Sequence, residues 1–315
     1  MRDFLGPEGR ADLAVVIVTY NSADDIDGLI ESLRPEARSL ALRVIVVDNS
    51  SGDETLALVR AHADVLPVPS GGNLGYAAGI NVASRHIGEA EATLILNPDL
   101  RVEHGAVREM LAAMRAHARA GVIVPRIVGA DGHIATSLHN EPGVTRALVD
   151  AVLGPIWSSR PAALSEWVRA PRAYRAARRT DWATGAAMLV SAEAAAAVGA
   201  WDERFFLYSE ETDFCRRARD AGFEIWFDPS ATVQHSQGGS GSSPELDALL
   251  HVNRVRYMRK HAPRRAGVYR WVVLLAESIR SRAGGSHRLV AAYLRDESRW
   301  KELPKAMPDT ERVST

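Results

Sequence analysis

LAVVIVTYNS, residues 13–22, decides the fold. Leu13 to Thr19 is an unbroken apolar and β-branched run, the pattern of a parallel strand covered on both faces. It ends on polar Thr19, Tyr20 and Asn21, and a helix is predicted from Ser22 to Leu33 with Pro35 beyond its end. Outward from there the alternation repeats. Strands are predicted at Arg43 to Val47, Val65 to Val68, Ala92 to Leu96 and Val122 to Ile127, with helices at Asp53 to His62, Tyr76 to Ile87 and Gly105 to Ala118. Such alternation argues an α/β fold with a largely parallel sheet. Between Gly129 and Arg179 the pattern breaks around Pro142, Pro155, Pro161 and Pro171. A strand at Trp182 to Val190 and a helix at Glu193 to Val198 restore it, and helices follow Pro244.

The chain has 315 residues, of which 46% are hydrophobic and 24% charged, enough to bury a core without staples. A net charge of −1 gives no sign of a nucleic-acid partner. A single cysteine, Cys215, excludes an internal disulfide and suits a reducing compartment. The first residues lack the features of a signal peptide, and no apolar run approaches the ~20 residues that span a bilayer. The expectation is a cytoplasmic protein.

In an open α/β sheet, functional residues gather at the C-terminal ends of strands. Three such ends stand out: Thr19-Tyr20-Asn21, Asp48-Asn49-Ser50 and Asn97-Pro98-Asp99. The first turn carries neither a dinucleotide fingerprint nor a P-loop. Asp48 can accept from a base or a ribose, or cap the helix that follows. The glycine-rich stretch GGNLGYAAGIN (71–81) opens a helix, which suits a diphosphate or simply a tight turn. Asp99 can hold a divalent cation or close a β-turn around Pro98. His235 can be a second ligand or a structural histidine. Glu210, Glu211 and Asp213 open a helix, where its dipole favours acids, and their crowding can raise one carboxylate into the range of a general base.

Six fragments in register carry a resemblance: VVIVTYNS (15–22), VIVVDNSSGDET (44–55), GGNLGYAAGIN (71–81), LILNPDL (94–100), DWATGAAMLV (181–190) and WDERFFLYSEETDFCRRARDAGF (201–223) with His235. Together they resemble the inverting family-2 glycosyltransferases of GT-A fold, most closely the bacterial rhamnosyltransferase branch. The resemblance implies a catalytic domain over residues 1–250, with a nucleotide-sugar half at about 11–128 and an acceptor half at about 129–250. It implies that Thr19, Asn21 and Asp48 hold the nucleoside and that Asn73 and Gly75 lie against the donor, with Asn81 supporting that loop. Tyr20, Asn97, Trp182, Gly185 and Glu210 join the donor-binding set. Asp99 matches the last acid of a metal-binding D-x-D whose first position is here Asn97. His235 matches a metal-ligating histidine, and the cation implied is Mg²⁺ or Mn²⁺. Glu211 takes the place of the catalytic base; most relatives of this branch show Glu-Asp where this chain has Glu-Glu.

The implied donor is a nucleoside-diphosphate sugar, with dTDP-rhamnose favoured. The implied acceptor is a glycan or polyprenyl-linked saccharide of the cell envelope, since AVLGPIW (151–157) resembles a segment of a polyprenyl-diphosphate-linker rhamnosyltransferase. The alternatives are another UDP-, GDP- or dTDP-sugar used on a small-molecule acceptor, and a non-catalytic sugar-nucleotide-binding protein. The loop Gly238 to Ser243 is expected to order over the donor. Residues 251–303 form a basic helical extension with twelve Lys/Arg against three acids between His251 and Trp300. Val268, Trp271, Val272, Leu275 and Ile279 recur there at helical spacing. This suits contact with an anionic membrane surface, packing on its own domain, or a homo-oligomer through the C-terminal helices. Residues 304–315 are expected to be a disordered tail.

Overall fold

A computed structural model describes residues 3–6, 8–153, 157, 161–235 and 243–309. The first half runs β1 (Ala11–Thr19), α1 (Ala23–Leu33), β2 (Leu42–Asp48), α2 (Thr55–Ala61), β3 (Leu66–Pro69), β4 (Gly72–Asn73), α3 (Tyr76–Ser84), β5 (Ala90–Leu96), β6 (Leu100–Val102), α4 (Ala106–Ala116) and β7 (Ala120–Gly129). The second runs β8 (Leu138–His139), α5 (Val144–Val152), β9 (Arg178–Thr180), β10 (Trp182–Ala183), β11 (Ala187–Ser191), α6 (Ala192–Val198), α7 (Glu210–Asp220) and β12 (Glu224–His235). The helices α8 (Pro244–His261), α9 (Pro263–Arg280) and α10 (His287–Arg295) follow, and the short β13 (Met307–Pro308) comes last.

The central sheet has the order β3-β2-β1-β5-β11-β7-β12-β6, with β9 on β12. Strands β3, β2, β1 and β5 are parallel, β11 runs against β5 and β7, and β12 is parallel to β7. It is a mixed sheet with helices on both faces. The unbroken apolar run of β1 has the cause expected of it. Leu13, Val15 and Ile17 enter one core layer with α1 and α4, while Ala14, Val16 and Val18 enter the other with α3, α6 and α7. A third core joins Phe205 to α8, α9 and α10.

The structure departs from the sequence expectations in four places. The strand foreseen at Trp182 to Val190 is two strands, β10 and β11, separated by a turn at Thr184–Ala186. Residues 129–179, foreseen as irregular, hold β8, α5 and most of β9. The extension foreseen from residue 251 begins inside α8, which crosses that border unbroken. The tail foreseen as disordered from Pro304 instead pairs β13 with β4, through Met307–Asn73 and Pro308–Gly72, and Asp309 N–H donates to the Gly71 carbonyl. Residues 310–315, most of the loop Gly238 to Ser243, and residues 154–156 of AVLGPIW lie outside the described residues. Ser243 is described and caps α8, its hydroxyl accepting from the Leu246 N–H at 3.2 Å. No helix among the described residues is long and apolar enough to cross a membrane.

Candidate active site

Parallel pairing of β1 with β2 sets Thr19 opposite Asp48 at the same sheet edge. Both are buried. Thr19 Oγ1 donates to Asp48 Oδ1 at 3.2 Å, and Asp48 also accepts from Ser51 Oγ at 2.5 Å and from Ser51 N–H at 3.1 Å. Asn21 Oδ1 accepts from Gly52 N–H at 2.7 Å, which ties the two strand-end loops together. Tyr20 leaves this corner 44% exposed, an aromatic face open to a ligand.

The glycine-rich loop lies next to it. Buried Asn49 donates from Nδ2 to the Gly75 carbonyl at 3.1 Å, and Asn73 Oδ1 accepts from Gly75 N–H at 3.3 Å. Gly75 has φ +87°, and a Cβ there would lie 2.2 Å from the Phe206 carbonyl oxygen. Only glycine lets the loop meet the Phe206–Ser209 segment this closely. The Asn81 side-chain amide donates to the Trp201 carbonyl and accepts from the Trp201 N–H, both at 2.9 Å.

The third strand end brings Asp99 and His235 together. β12 runs against β6, which puts His235 opposite Leu100, and His235 Nε2 lies 3.0 Å from Asp99 Oδ2. Asn97 N–H donates to the Ala186 carbonyl at 2.8 Å, anchoring this turn to the loop that carries Gly185. Among the described residues no third His, Cys, Asp or Glu completes a cluster able to hold a metal.

Glu210 and Glu211 begin α7, preceded by Tyr208 and Ser209 at φ 70° and 73°. The other described non-glycine residues with left-handed backbone are Asn21 and Ser50, in the loops after β1 and β2. Strain of this kind concentrates where a site needs a fixed geometry. Asn253 of α8 holds the strained turn by donating to the carbonyls of Leu207 and Tyr208 at 2.8 and 3.1 Å. A Cβ on Gly185 would sit 3.2 Å from Glu211 Cβ, so the two backbones pack with little room between them. One carboxylate oxygen each of Glu210 and Glu211 is buried with no hydrogen-bond partner among the described residues. Burial pushes Glu211 up to about 7 against the pull of nearby backbone amides. Burial and then the Glu211 charge raise Glu210 well above the ordinary carboxylate range.

Tyr76 is the residue that sequence reasoning missed. Its hydroxyl donates to the Gly185 carbonyl at 3.3 Å. Burial, and then the charges of Glu210, Glu211 and Asp99, push that hydroxyl well above its ordinary range. One side chain therefore feels both the Asp99–His235 corner and the two glutamates. The signal available in sequence was an aromatic residue directly after the glycine-rich loop. Trp182, foreseen as donor-binding, uses its Nε1 on the Asn140 carbonyl at 3.0 Å and stacks on His139 with ring centroids 3.9 Å apart. Asp213 faces away from this chemistry. Its carboxylate takes Arg217 at 2.8 Å, His261 at 2.7 Å and Lys260 at 2.6 Å, clamping α7 to the end of α8.

This arrangement gathers buried strand-end polar residues, an Asp–His pair and a carboxylate of raised basicity at one edge of the sheet. A family model described as "Glycosyl transferase family 2" matches residues 14–163. The chain is 30% identical to an N-acetylglucosaminyl-diphospho-decaprenol L-rhamnosyltransferase of Mycobacterium tuberculosis, over 92% of this chain and 96% of that protein. It is also 30% identical to the low-salt glycan biosynthesis hexosyltransferase Agl10 of Haloferax volcanii, over 68% of this chain and 64% of that one. Among solved structures it is similar to the mannosyltransferase PcManGT of Pyrobaculum calidifontis in complex with GDP-Man and Mn²⁺. There the TM-score is 0.55 and the identity 15%, over 98% of this chain and 85% of that one. The GT-A fold expected from the sequence is borne out. The chain belongs to glycosyl transferase family 2, in its rhamnosyltransferase branch, and is a glycosyltransferase.

Proposed function

We propose that this enzyme moves L-rhamnose from dTDP-rhamnose to a hydroxyl of a polyprenyl-diphosphate-linked saccharide, inverting the anomeric carbon. The observation that carries the reaction type is the turn at Gly185 and Ala186: Gly185 packs on Glu211 and accepts from Tyr76, while Ala186 accepts from Asn97, two residues before Asp99 of the Asp99–His235 pair. Support for the donor sugar and the lipid-linked acceptor comes from the M. tuberculosis relative, similar to this chain along nearly its whole length. Cell-envelope saccharides on such carriers are built at a membrane, so the enzyme would act in the cytoplasm, at its inner face.

In this reading Asp48, Thr19 and the Asn21 loop hold the nucleoside, and exposed Tyr20 stacks on the base. The loop at Asn73 and Gly75 lies along the donor. The acceptor oxygen attacks C1 of the sugar as the bond from C1 to the diphosphate oxygen breaks. The acceptor's proton passes to Glu211, whose burial makes it a stronger base than a solvated glutamate; such help accounts for about 10²–10⁴-fold in rate. Gly185 packs against Glu211, and the Tyr76 hydroxyl holds Gly185 in turn.

The donor set at Asp99 and His235 fits a divalent cation. Asp99 Oδ2 and His235 Nε2, 3.0 Å apart, are a carboxylate and an imidazole that together would hold such an ion. An imidazole ligand favours Mn²⁺ over Mg²⁺. When bound, the cation offsets charge on the departing diphosphate.

The test is incubation of the purified enzyme with N-acetylglucosaminyl-diphospho-polyprenol and, in turn, dTDP-rhamnose, UDP-sugars and GDP-sugars, with products read by mass. Rhamnosylated lipid from dTDP-rhamnose is expected. Transfer from a UDP- or GDP-sugar alone would replace the donor. Binding of every donor with turnover of none would make the chain a sugar-nucleotide-binding protein.

A further inference from the structure

Helix α9 buries one side and leaves the other bare. Ala266, Tyr269, Leu274, Ala276 and Glu277 face inward, while Val268, Trp271, Leu275 and Ile279 are 56%, 69%, 61% and 58% exposed. Spacings of three, four and four residues keep these four side chains on one stripe. The packing that buries α9 against its own domain is thus complete without them. Neighbouring α5 repeats the pattern on a smaller scale, with Leu148 and Val152 exposed and no residue of that helix fully buried. The Arg280 guanidinium reaches the Asp150 carbonyl and joins the two helices.

The charge around the stripe is of one sign. Exposed Arg264 and Arg265 stand at the start of α9 and exposed Arg282 just past its end, and none has an ion-pair partner among the described residues. The one acid of α9, Glu277, is buried and held by Arg280 and His287. Most other basic residues of the extension are used internally. Arg254 pairs with Glu166, Lys260 with Asp202 and Asp213, and Arg259 and Arg270 with Glu297.

We infer that the exposed faces of α9 and α5 form a docking surface for the headgroup region of an anionic phospholipid bilayer, with α9 lying in the membrane plane. An apolar stripe bearing a tryptophan and ending in arginines is what such an interface selects, since the apolar side chains enter the acyl boundary while the cations meet lipid phosphates. A second copy of the chain fits less well. Two-fold pairing of α9 with itself would set Arg264 and Arg265 against either Arg282 or their own counterparts, like charge on like charge. The inference goes beyond the sugar chemistry and stands whichever donor is used.

Co-sedimentation of the full chain with phosphatidylcholine vesicles, with and without phosphatidylglycerol, tests it. Pelleting with the anionic vesicles only, weakening as salt rises, is expected. Trp271→Glu combined with Leu275→Glu should reduce partitioning about tenfold or more, and R264E/R265E/R282E should weaken it and remove the salt dependence. Thermal stabilisation by dTDP, read on the same variants, should match the wild type, which shows that the fold and the donor cleft are intact. Equal pelleting of the double variant, or no pelleting of the wild type, overturns the inference. A dimer in sedimentation velocity that the double variant dissolves, without vesicle binding, hands the face to a second copy.

Discussion

Glu211→Gln should make the enzyme nearly inactive and more stable at once. Burial raises Glu211 from the ordinary 4.5 to about 7. A group whose folded pKa lies above its unfolded value favours the fold while protonated. That advantage is whole below about pH 4.5, shrinks as pH rises, and is gone above about pH 7. The shift corresponds to ~3 kcal/mol that the ligand-free wild type gives up by ionising Glu211 at pH 8. Glutamine has the same shape and no charge to lose. The variant should therefore gain up to ~3 kcal/mol at pH 8, on the order of 5 °C in Tm for a chain of this size, and less than about 1 kcal/mol near pH 5. Glu210 shares the repulsion, so the two carboxyls titrate as a pair and the transition is broad. The assays are thermal melts of both proteins across pH 5–8 and transfer rates over the same range. Wild-type transfer should rise with pH as the base ionises, half complete near pH 7, and the variant should lose about 10²–10⁴-fold. A stability difference that is the same at pH 5 and pH 8 would refute the burial cost. A variant within tenfold of wild-type turnover would remove Glu211 from the proton transfer.

Three further outcomes follow from the same geometry. Asp99→Ala should abolish the response of donor binding to added Mn²⁺, seen by calorimetric titration of nucleoside diphosphate with and without the ion; an unchanged response rejects that ligand. Gly75→Ala forces a side chain into positive φ and onto the Phe206 carbonyl, so it should cost about 2–4 kcal/mol in chemical denaturation and loosen donor binding. Asp213→Asn strips the clamp between α7 and α8. Burial pushes Asp213 up, but His261, Lys260 and Arg217 outweigh it and hold the group below its ordinary 3.8. Its contribution is present above that value and lost as pH falls through the lowered pKa. The variant should lose about 3–5 kcal/mol at neutral pH and show a flatter acid-unfolding profile than the wild type.

Much of the first half was legible because burial on both faces writes an unbroken apolar run. β1, β2, β5 and β7 are of that kind, and each expected strand lies within the observed one. The second half was less legible for a physical reason. α5 has no fully buried residue, and β8 and β10 are two residues long, too short to leave a periodic trace. Within the cleft, the strand-end residues could be found because their chemistry sits beside their strand. Tyr76 could not be given its place, since its partner Gly185 is 109 positions away. Asp213 has its i+4 neighbour Arg217 as a partner, but Lys260 and His261 enter through tertiary folding alone.

The pairing of β13 with β4 has a practical corollary. Residues 307–309 lie across the glycine-rich segment, and the Ser50 hydroxyl donates to Asp309 Oδ2 at 3.0 Å. The far end of the described polypeptide thus braces the glycine-rich loop, some 230 positions away in sequence. A purification handle fused after Asp309 would start beside that loop, and trimming the last dozen residues would remove the strand that Gly72 and Asn73 pair with.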